Sequence, residues 1–277
     1  MLIFSLFGGL GNQMFQYAFA KNIELSKKKE IYFVNDMSKS FNIKRDPNIL
    51  ENSFSIKINK VSPLIFKKYF LFYNPFFRKL LYRYNFFQKS YVKENNFSQI
   101  DFSKDLYFHG YWQNFIFFQE NFDLIKKIFI FNKKKSKELF FYRSKIVNCN
   151  STSIHYRLRE DSILQKIDIT FYSKAINLIR KKKKNTIFFI FSDNISVAKK
   201  FFNLNFKKND FIFVENYLKP HDDMYLMSLC KNNIISESTF SLWASLLNKN
   251  SKKLIIYPNN YLMKFFNNSI PFNSMGL

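Results

Sequence analysis

The segment TIFFIFSDNISVAKKFF, residues 186–202, places a strand directly before a helix. The run from Thr186 to Ser192 is rich in β-branched and aromatic residues, which is typical of a buried strand. Ile195 to Phe202 follows after two polar residues and predicts a helix. A strand that passes at once into a helix is the repeating unit of an α/β fold, and this segment therefore sets the expected fold class.

The same alternation extends on both sides of that segment. The expected strands are Thr152–Tyr156, Thr186–Ser192, Phe211–Val214, Asn233–Ser236 and Lys253–Tyr257. The expected helices are Phe171–Arg180, Ile195–Phe202, Asp222–Lys231 and Phe240–Asn248. This regularity predicts a doubly wound parallel sheet, in which ligands bind beyond the carboxyl ends of the strands.

The start of the chain predicts a second unit of the same kind. Leu2–Leu6 is an apolar run, Gly8-Gly9-Leu10-Gly11 predicts a glycine loop, and apolar residues from Met14 to Ile23 recur at helical spacing. Ile31–Val34 then predicts a strand parallel to the first, because an intervening helix provides the crossover.

The middle of the chain is less regular. The stretch from Val61 to Phe87 interleaves Phe and Tyr with Lys and Arg. Such a stretch forms either ordinary helices with buried aromatics and solvated cations, or a surface that lies against an anionic membrane. We place a domain boundary between residues 147 and 148, and we expect an α/β protein with two Rossmann-like domains, 1–147 and 148–277, and a cleft between them.

Composition excludes several classes of protein. Of the 277 residues, 47% are hydrophobic and 20% aromatic, so the chain can bury a core and is not disordered. The net charge of +24 indicates an anionic partner such as a membrane surface, nucleic acid or a phosphorylated substrate, or else a bias toward Lys and Asn in the composition. No recognised nucleic-acid-binding motif is present, so no nucleic-acid partner is expected.

Cysteine and histidine usage predicts neither a disulfide framework nor a metal site. The chain has two cysteines and three widely separated histidines, with no zinc-ligand spacing. The N-terminus lacks the features of a signal peptide, and no window approaches the ~20 apolar residues of a membrane span. We expect a cytoplasmic protein, with peripheral contact at the inner face of an anionic membrane as the alternative to a fully soluble one.

Four polar clusters follow expected strands. In the first, Gly8 to Gln13, glycines and a helix N-terminus suit an anion, although a tight turn explains the same pattern. In the second, His155 and Arg157 share one face of a strand, and a forked guanidinium suits a diphosphate. A lone strand histidine is more often a core residue.

The third cluster is Phe191-Ser192-Asp193-Asn194, where Ser192 or Asp193 either caps the next helix or contacts a ligand. In the fourth cluster, Ser238 and Thr239 are expected to open a helix, where hydroxyls and free N–H groups can hold phosphate. Asp222 or Asp223 either caps the preceding helix or accepts hydrogen bonds from the N1–H and amino group of guanine.

Three of the motifs resemble the bacterial α-1,2-fucosyltransferases of glycosyltransferase family 11. They are GGLGNQMFQYA at Gly8–Ala18, GYWQ at Gly110–Gln113, and the C-terminal block Met224–Ile235 continued by Ser238–Ser241 and Trp243. The resemblance implies a GT-B fold in which domain 1–147 lies on the acceptor side and domain 148–277 holds a GDP-sugar.

The resemblance also implies roles for individual residues. Arg157 is expected to hold the β-phosphate and to be catalytic, with His155 beside it on GDP and Asp223 on guanine. The remaining donor contacts are expected at Gly11, Asn12, Asp193, Ser238, Thr239 and Phe240. Two positions depart from the family pattern. Leu158 stands where a second arginine is usual, so either Arg159 substitutes for it or the second cation is lost. Glu237 stands where a neutral residue is usual.

The activity implied is inverting transfer of L-fucose, or a related deoxy sugar, from a GDP-sugar to a hydroxyl of a bacterial surface glycan in α-1,2 linkage. The acceptor is expected to be a glycan, free or lipid-linked. No Asp-x-Asp motif is present, so no metal or other cofactor is expected, and Arg157 with the helix N-terminus near Ser238 takes the metal's place. The catalytic base is not identified, with Glu237 an outside candidate. The alternatives are a non-catalytic GDP-sugar-binding homologue and a basic nucleic-acid-binding protein.

Overall fold

The computed structural model describes residues 1–35, 46, 48–62, 64–65, 91–94, 100–132, 136–158, 169–206, 210–215, 219–258 and 273–277. The chain divides into two compact units, Met1–Asn132 and Lys133–Leu277. Among the described helices, none is both long enough and apolar enough to cross a bilayer. Most of the basic aromatic stretch Val61–Phe87, together with Arg159, lies outside the described residues.

The boundary between the units falls earlier than the predicted 147/148. The helix Lys137–Val147 belongs to the C-terminal unit, because it buries Leu139, Tyr142 and Ile146 there. The Tyr142 hydroxyl donates to the carbonyl of Phe213 at 3.4 Å and accepts from the amide of Glu215 at 3.2 Å. Both partners lie in the C-terminal unit, so the helix folds with the domain that follows it.

The N-terminal unit contains a four-stranded parallel sheet. Its described elements are β1 Leu2–Leu6, α1 Leu10–Lys27, β2 Ile31–Asn35, α2 Ile49–Ser53, β3 Tyr91–Val92, β4 Leu106–Phe108 and α3 Phe122–Ile128, with short 3₁₀ turns at Phe115–Phe117 and Gln119–Asn121. The strand order is β2-β1-β4-β3, and every pairing is parallel. The predicted βαβ start is therefore confirmed.

Aromatic side chains form the core of this unit around α1. The Phe4 ring stacks on Phe108 with centroids 4.4 Å apart and meets Phe19 edge-on at 5.6 Å. Trp112 stacks on Phe19 with ring centroids 4.1 Å apart. The turn into α1 depends on Gly8, whose φ of +80° lies in the left-handed region that favours glycine.

The C-terminal unit contains a six-stranded parallel sheet. Its described elements are α4 Lys137–Val147, β5 Asn150–Tyr156, α5 Ile169–Lys182, β6 Thr186–Ser192, α6 Ile195–Asn205, β7 Phe211–Phe213, α7 Pro220–Leu229, β8 Asn232–Ile234, α8 Thr239–Leu247, β9 Ile255–Tyr257 and β10 Ser274–Gly276. The order is β10-β9-β8-β5-β6-β7, with all pairings parallel. The chain thus runs outward from the central β5 in one direction and then in the other, which is the Rossmann strand order. The doubly wound sheet is confirmed.

Isoleucines of four neighbouring strands line one core of this sheet. Ile154, Ile190, Ile234 and Ile256 are inaccessible to solvent and pack with aromatic residues of α5 and α6. These strands are buried on both faces, which explains their nearly continuous apolar sequences. Both cysteines of the chain are free thiols, as expected from the sequence.

Candidate active site

The strand order of the C-terminal sheet reverses between β5 and β8. In parallel sheets of this type, ligands bind in the crevice beyond the carboxyl ends of the strands at such a reversal. His155 stands at the carboxyl end of β5, and Ser236 lies just beyond β8. The pairing of Ile154 with Ile234 brings the two strand ends side by side, and His155 Nδ1 lies 2.8 Å from Ser236 Oγ.

His155 is held rigidly at this position. Its side chain is buried, and the ring centroid of Phe240 lies 5.6 Å from that of the imidazole. The Tyr172 hydroxyl donates to the backbone carbonyl of His155 at 2.9 Å. Burial, and secondarily the charge of Arg157, lower the pKa of His155 to about 3. The imidazole is therefore neutral at physiological pH.

Arg157 follows β5 directly and is exposed. The next residue, Leu158, packs against the hydrophobic core of the unit. Leu158, which stands where a second arginine is usual in the family, therefore contributes to packing of the core.

Asp193 takes part in fixing the backbone beside Arg157. Its Oδ1 accepts a hydrogen bond from the amide of Leu158 at 2.9 Å. The helix cap that the sequence offered to Ser192 or Asp193 belongs instead to Asn194, whose side chain accepts from the amide of Val197. A donor contact by Asp193 stays a prediction.

The N-terminus of α8 lies next to His155. Ser238 is its N-cap, and the Ser238 hydroxyl accepts from the amide of Phe240 at 3.3 Å. Thr239 and Phe240 form the first turn and are half-buried, as is Glu237. Backbone amides that point along the axis and the helix dipole make the first turn of a helix favourable for an anion. The phosphate contacts of Ser238 and Thr239 stay a prediction.

The two acidic residues at the start of α7 have different environments. Asp222 Oδ2 accepts from the amide of Lys219 at 3.3 Å and so has the capping role that the sequence left open between Asp222 and Asp223. Asp223 Oδ1 is buried and has no hydrogen-bond partner among the described residues. Burial, with a smaller contribution from Asp222, raises the pKa of Asp223 well above its usual value. A buried acceptor without a partner is what a ligand N–H group can satisfy.

The parallel topology gathers these residues at one edge of the sheet. His155 lies at the carboxyl end of β5 and Arg157 follows it, Asp193 follows β6, α7 begins after β7, and α8 begins after β8. Since carboxyl ends of parallel strands share an edge, the C-terminal candidates predicted from sequence all lie at the same edge.

Gly11 and Asn12 lie in the N-terminal unit and were predicted to be in a glycine loop. The structure corrects this, because α1 begins at Leu10 and the turn before it is confined to Gly8 and Gly9. The amide of Gln13 already donates to the carbonyl of Gly9 at 3.0 Å, which closes the first helical turn around Gly11 and Asn12. Asn12 Oδ1 accepts from Gln113 Nε2 at 2.9 Å, which links two of the sequence motifs.

Sequence reasoning missed two residues of this site, Ser236 and Tyr172. Both contact His155, one at the ring and one at the backbone. Parallel pairing of the expected strands β5 and β8 would have placed residue 236 one position beyond the level of His155, at the same strand end, but the strand order is not visible in the sequence.

A strand reversal with a helix N-terminus beside it is the place at which doubly wound α/β proteins bind ligands, and the helix N-terminus is favourable for an anion. Comparison with known proteins narrows this class. The chain belongs to glycosyl transferase family 11, whose family model matches residues 2–271.

Two characterised relatives come from Escherichia coli. An alpha-1,2-colitosyltransferase is 30% identical over 275 residues, which cover 93% of this chain and 91% of the relative. The O-antigen biosynthesis glycosyltransferase WbnK is 27% identical over 291 residues, which cover 92% of this chain and 93% of the relative.

Among solved structures, the fucosyltransferase NodZ from Bradyrhizobium matches with a TM-score of 0.54 at 14% identity, over 89% of this chain and 92% of NodZ. A crystal of NodZ alpha-1,6-fucosyltransferase soaked with GDP-fucose matches with a TM-score of 0.51 at 14% identity, over 89% of this chain and 91% of that one. At this identity the likeness shows the fold alone, and it confirms the expected GT-B-like α/β class.

Proposed function

We propose that this family 11 glycosyltransferase transfers L-fucose, or a related deoxy sugar, from a GDP-sugar to a hydroxyl of a bacterial surface glycan in α-1,2 linkage. The proposal rests on one observation: neutral His155, Arg157 and the N-terminus of α8 all lie at the strand reversal of the C-terminal sheet. The colitosyltransferase relative and the NodZ crystal soaked with GDP-fucose support the deoxy sugar and the nucleotide.

The reaction makes a specific electrostatic demand. GDP-L-fucose carries its sugar in a β linkage, so an α product requires one inverting displacement. Negative charge then develops on the departing diphosphate. Arg157 can donate two hydrogen bonds to phosphate oxygens from its planar guanidinium. The amides at the start of α8 provide further donors whose orientation the helix fixes before the reaction begins.

We propose that Asp223 binds the guanine base of the donor. Guanine presents an N1–H and an adjacent amino group, and a carboxylate accepts from both. The buried Oδ1 of Asp223 has no partner among the described residues, so ligand binding would supply one.

We further propose that turnover needs no divalent metal. The chain has no Asp-x-Asp motif, and Arg157 with the α8 N-terminus supplies positive potential where a metal would otherwise neutralise the diphosphate.

The test is transfer to galactose-terminated acceptors from a panel of donors: GDP-L-fucose, GDP-colitose, GDP-mannose and UDP-galactose. We expect product with the GDP-linked deoxy sugars only, identified by mass, and a 1,2 linkage by NMR of the product. Equal or better transfer from the UDP-sugar would refute the donor assignment. GDP binding without any transfer would support the non-catalytic homologue instead.

A further inference from the structure

Ser236 contacts the ring of His155 and has no other described side-chain contact at its hydroxyl. The Oγ–Nδ1 distance is 2.8 Å, and both side chains are buried. The backbone of Ser236 is fixed separately, because its carbonyl accepts from the amide of Ser238 at 2.7 Å and from the Ser241 hydroxyl at 3.5 Å. The hydroxyl is therefore held at the imidazole by the start of α8.

The direction of this hydrogen bond decides the tautomer of His155. A neutral imidazole carries its proton on one nitrogen and accepts at the other. If Nδ1 carried the proton, Ser236 Oγ would accept, and its own buried hydroxyl proton would have no acceptor in the described part of the chain. If Ser236 donates, that proton is satisfied and the imidazole proton must lie at Nε2. An unmet buried donor is costly, so the second arrangement is favoured.

The nitrogen at the other side of the ring is available to a ligand. No described residue gives His155 Nε2 a hydrogen-bond partner, whereas Nδ1 is engaged by Ser236. The ring lies at the strand reversal, next to the anion-favouring start of α8. An anionic phosphate needs a donor there, and a neutral imidazole provides one only in the Nε2–H form.

We propose that Ser236 is the positioning residue that donates to His155 Nδ1, fixes the Nε2–H tautomer and so presents an N–H group to the donor diphosphate. This rests on the proposed function for the identity of the ligand, although the tautomer itself does not depend on it. Ser236 acts through His155 and touches no reacting atom.

The first experiment is ¹⁵N NMR of histidine-labelled, ligand-free protein. With three histidines in the chain, assignment needs only the His109→Gln and His221→Gln variants. We expect His155 Nδ1 to have the shift of an unprotonated ring nitrogen and Nε2 that of a protonated one. Ser236→Ala should convert this into a tautomer mixture. A wild-type spectrum with the proton on Nδ1 overturns the proposal, and this result is independent of nucleotide binding and of whether Ser236→Ala folds.

The second experiment is GDP titration of matched variants. Ser236→Ala should weaken GDP binding about tenfold, the scale for one hydrogen bond to a charged group, and Ser236→Thr should restore it. Ser245→Ala is the control, because Ser245 is also a buried serine, on the helix α8 that follows Ser236, but donates only to the carbonyl of Leu242. Equal GDP affinity in folded Ser236→Ala and wild type overturns the positioning role. A wild type that has the Nε2–H tautomer but fails to bind GDP refutes the guanine assignment alone.

Discussion

Replacement of Asp223 by Asn tests the guanine assignment most directly. The change keeps the size of the side chain and removes one negative charge. In wild type the carboxylate can accept from both the N1–H and the amino group of guanine. The Asn amide offers one acceptor and turns an NH₂ group toward a ligand donor. We therefore expect weaker binding of GDP.

The magnitude follows from the loss of a charge-assisted hydrogen bond. Such bonds contribute about 1.5–3 kcal/mol, so the Kd for GDP should rise roughly 10- to 100-fold. IDP, which lacks the amino group, provides the second arm of a double-mutant cycle. The preference for GDP over IDP should be clear in wild type and should shrink in Asp223→Asn.

The raised pKa of Asp223 adds a pH signature. Because burial raises the folded-state pKa above the unfolded one, the native protein binds a proton that the unfolded chain releases. Stability is therefore lost as pH rises from the ordinary carboxyl pKa toward the folded-state pKa, and Asp223→Asn should lack this loss. GDP affinity should change in the opposite direction in wild type and increase with pH, since guanine requires the carboxylate form.

Calorimetric titration of GDP and IDP at several pH values, with urea unfolding alongside, measures all these quantities. Asp222→Asn is the control, because Asp222 caps α7 through the amide of Lys219. Asp222→Asn should leave the preference for GDP over IDP unchanged. It should also lower the pKa of Asp223, because it removes a neighbouring negative charge, and so shift the pH dependence of stability to lower pH. An unchanged GDP/IDP preference in Asp223→Asn would show that guanine is recognised elsewhere.

Four further predictions follow from the same structure. Arg157→Lys should lower kcat by roughly 10²–10³ while weakening GDP binding much less, because lysine keeps the positive charge and loses the forked pair of N–H donors. Steady-state kinetics and GDP titration of this variant test the prediction, and near-normal turnover would exclude a catalytic role for Arg157. EDTA should leave activity intact, and loss of turnover that Mg²⁺ restores would contradict metal-free transfer. Gly8→Ala should cost roughly 1–3 kcal/mol in urea unfolding, because φ is +80° and the new Cβ would lie 2.8 Å from Asn12 Nδ2; an unchanged midpoint would refute this. Anionic vesicles should bind the protein weakly through Val61–Phe87, less so as salt rises, and co-sedimentation that ignores lipid charge would count against it.

The C-terminal fold could be predicted because its signal is local. β6 has the bounds expected from sequence, Thr186–Ser192, since a continuous apolar run ends at polar residues on both sides. In the N-terminal unit, β3 and β4 are two and three residues long and carry no periodic pattern. β4 is a strand because it pairs with β1, with Leu2 opposite Leu106. These two residues are far apart in the sequence, so a local sequence pattern does not reveal the pairing.

Within the site, sequence identified residue types at strand ends but not their partners. His155 and Ser238 were found because each follows or precedes a clear periodic element. The residue pattern alone left open whether Asp222 or Asp223 caps the helix, since adjacent residues at a helix start differ only in the direction of their side chains. The assignment of guanine to Asp223 came from the family resemblance. Ser236 was missed because its contact with His155 arises from the order of strands in the sheet.

The sequence motifs of the two units differ in the hydrogen bonds that their polar side chains form. In the N-terminal unit, the motifs around Gln16 and Gln113 contact each other. Gln16 Nε2 donates to the carbonyl of Gly110 at 3.2 Å, its Oε1 accepts from the amide of Phe7 at 3.0 Å, and Gln113 donates to Asn12. These contacts satisfy the side-chain amides of Gln16 and Gln113 inside the unit, so folding alone is sufficient reason for these two residues.

In the C-terminal unit, Asp223 Oδ1 and His155 Nε2 have no partner among the described residues, although Asp223 Oδ1 is buried. Folding gains nothing from a buried carboxylate oxygen without a donor, and it costs stability. A binding role accounts for that cost, because the ligand's N–H groups supply the missing hydrogen bonds. The N-terminal motif holds one comparable atom, since Gln13 Oε1 is also buried without a partner among the described residues. Asp223 differs from Gln13 because a carboxylate costs more than a neutral amide when it is buried unpaired, and on this ground we expect recognition of the nucleotide base in the C-terminal unit.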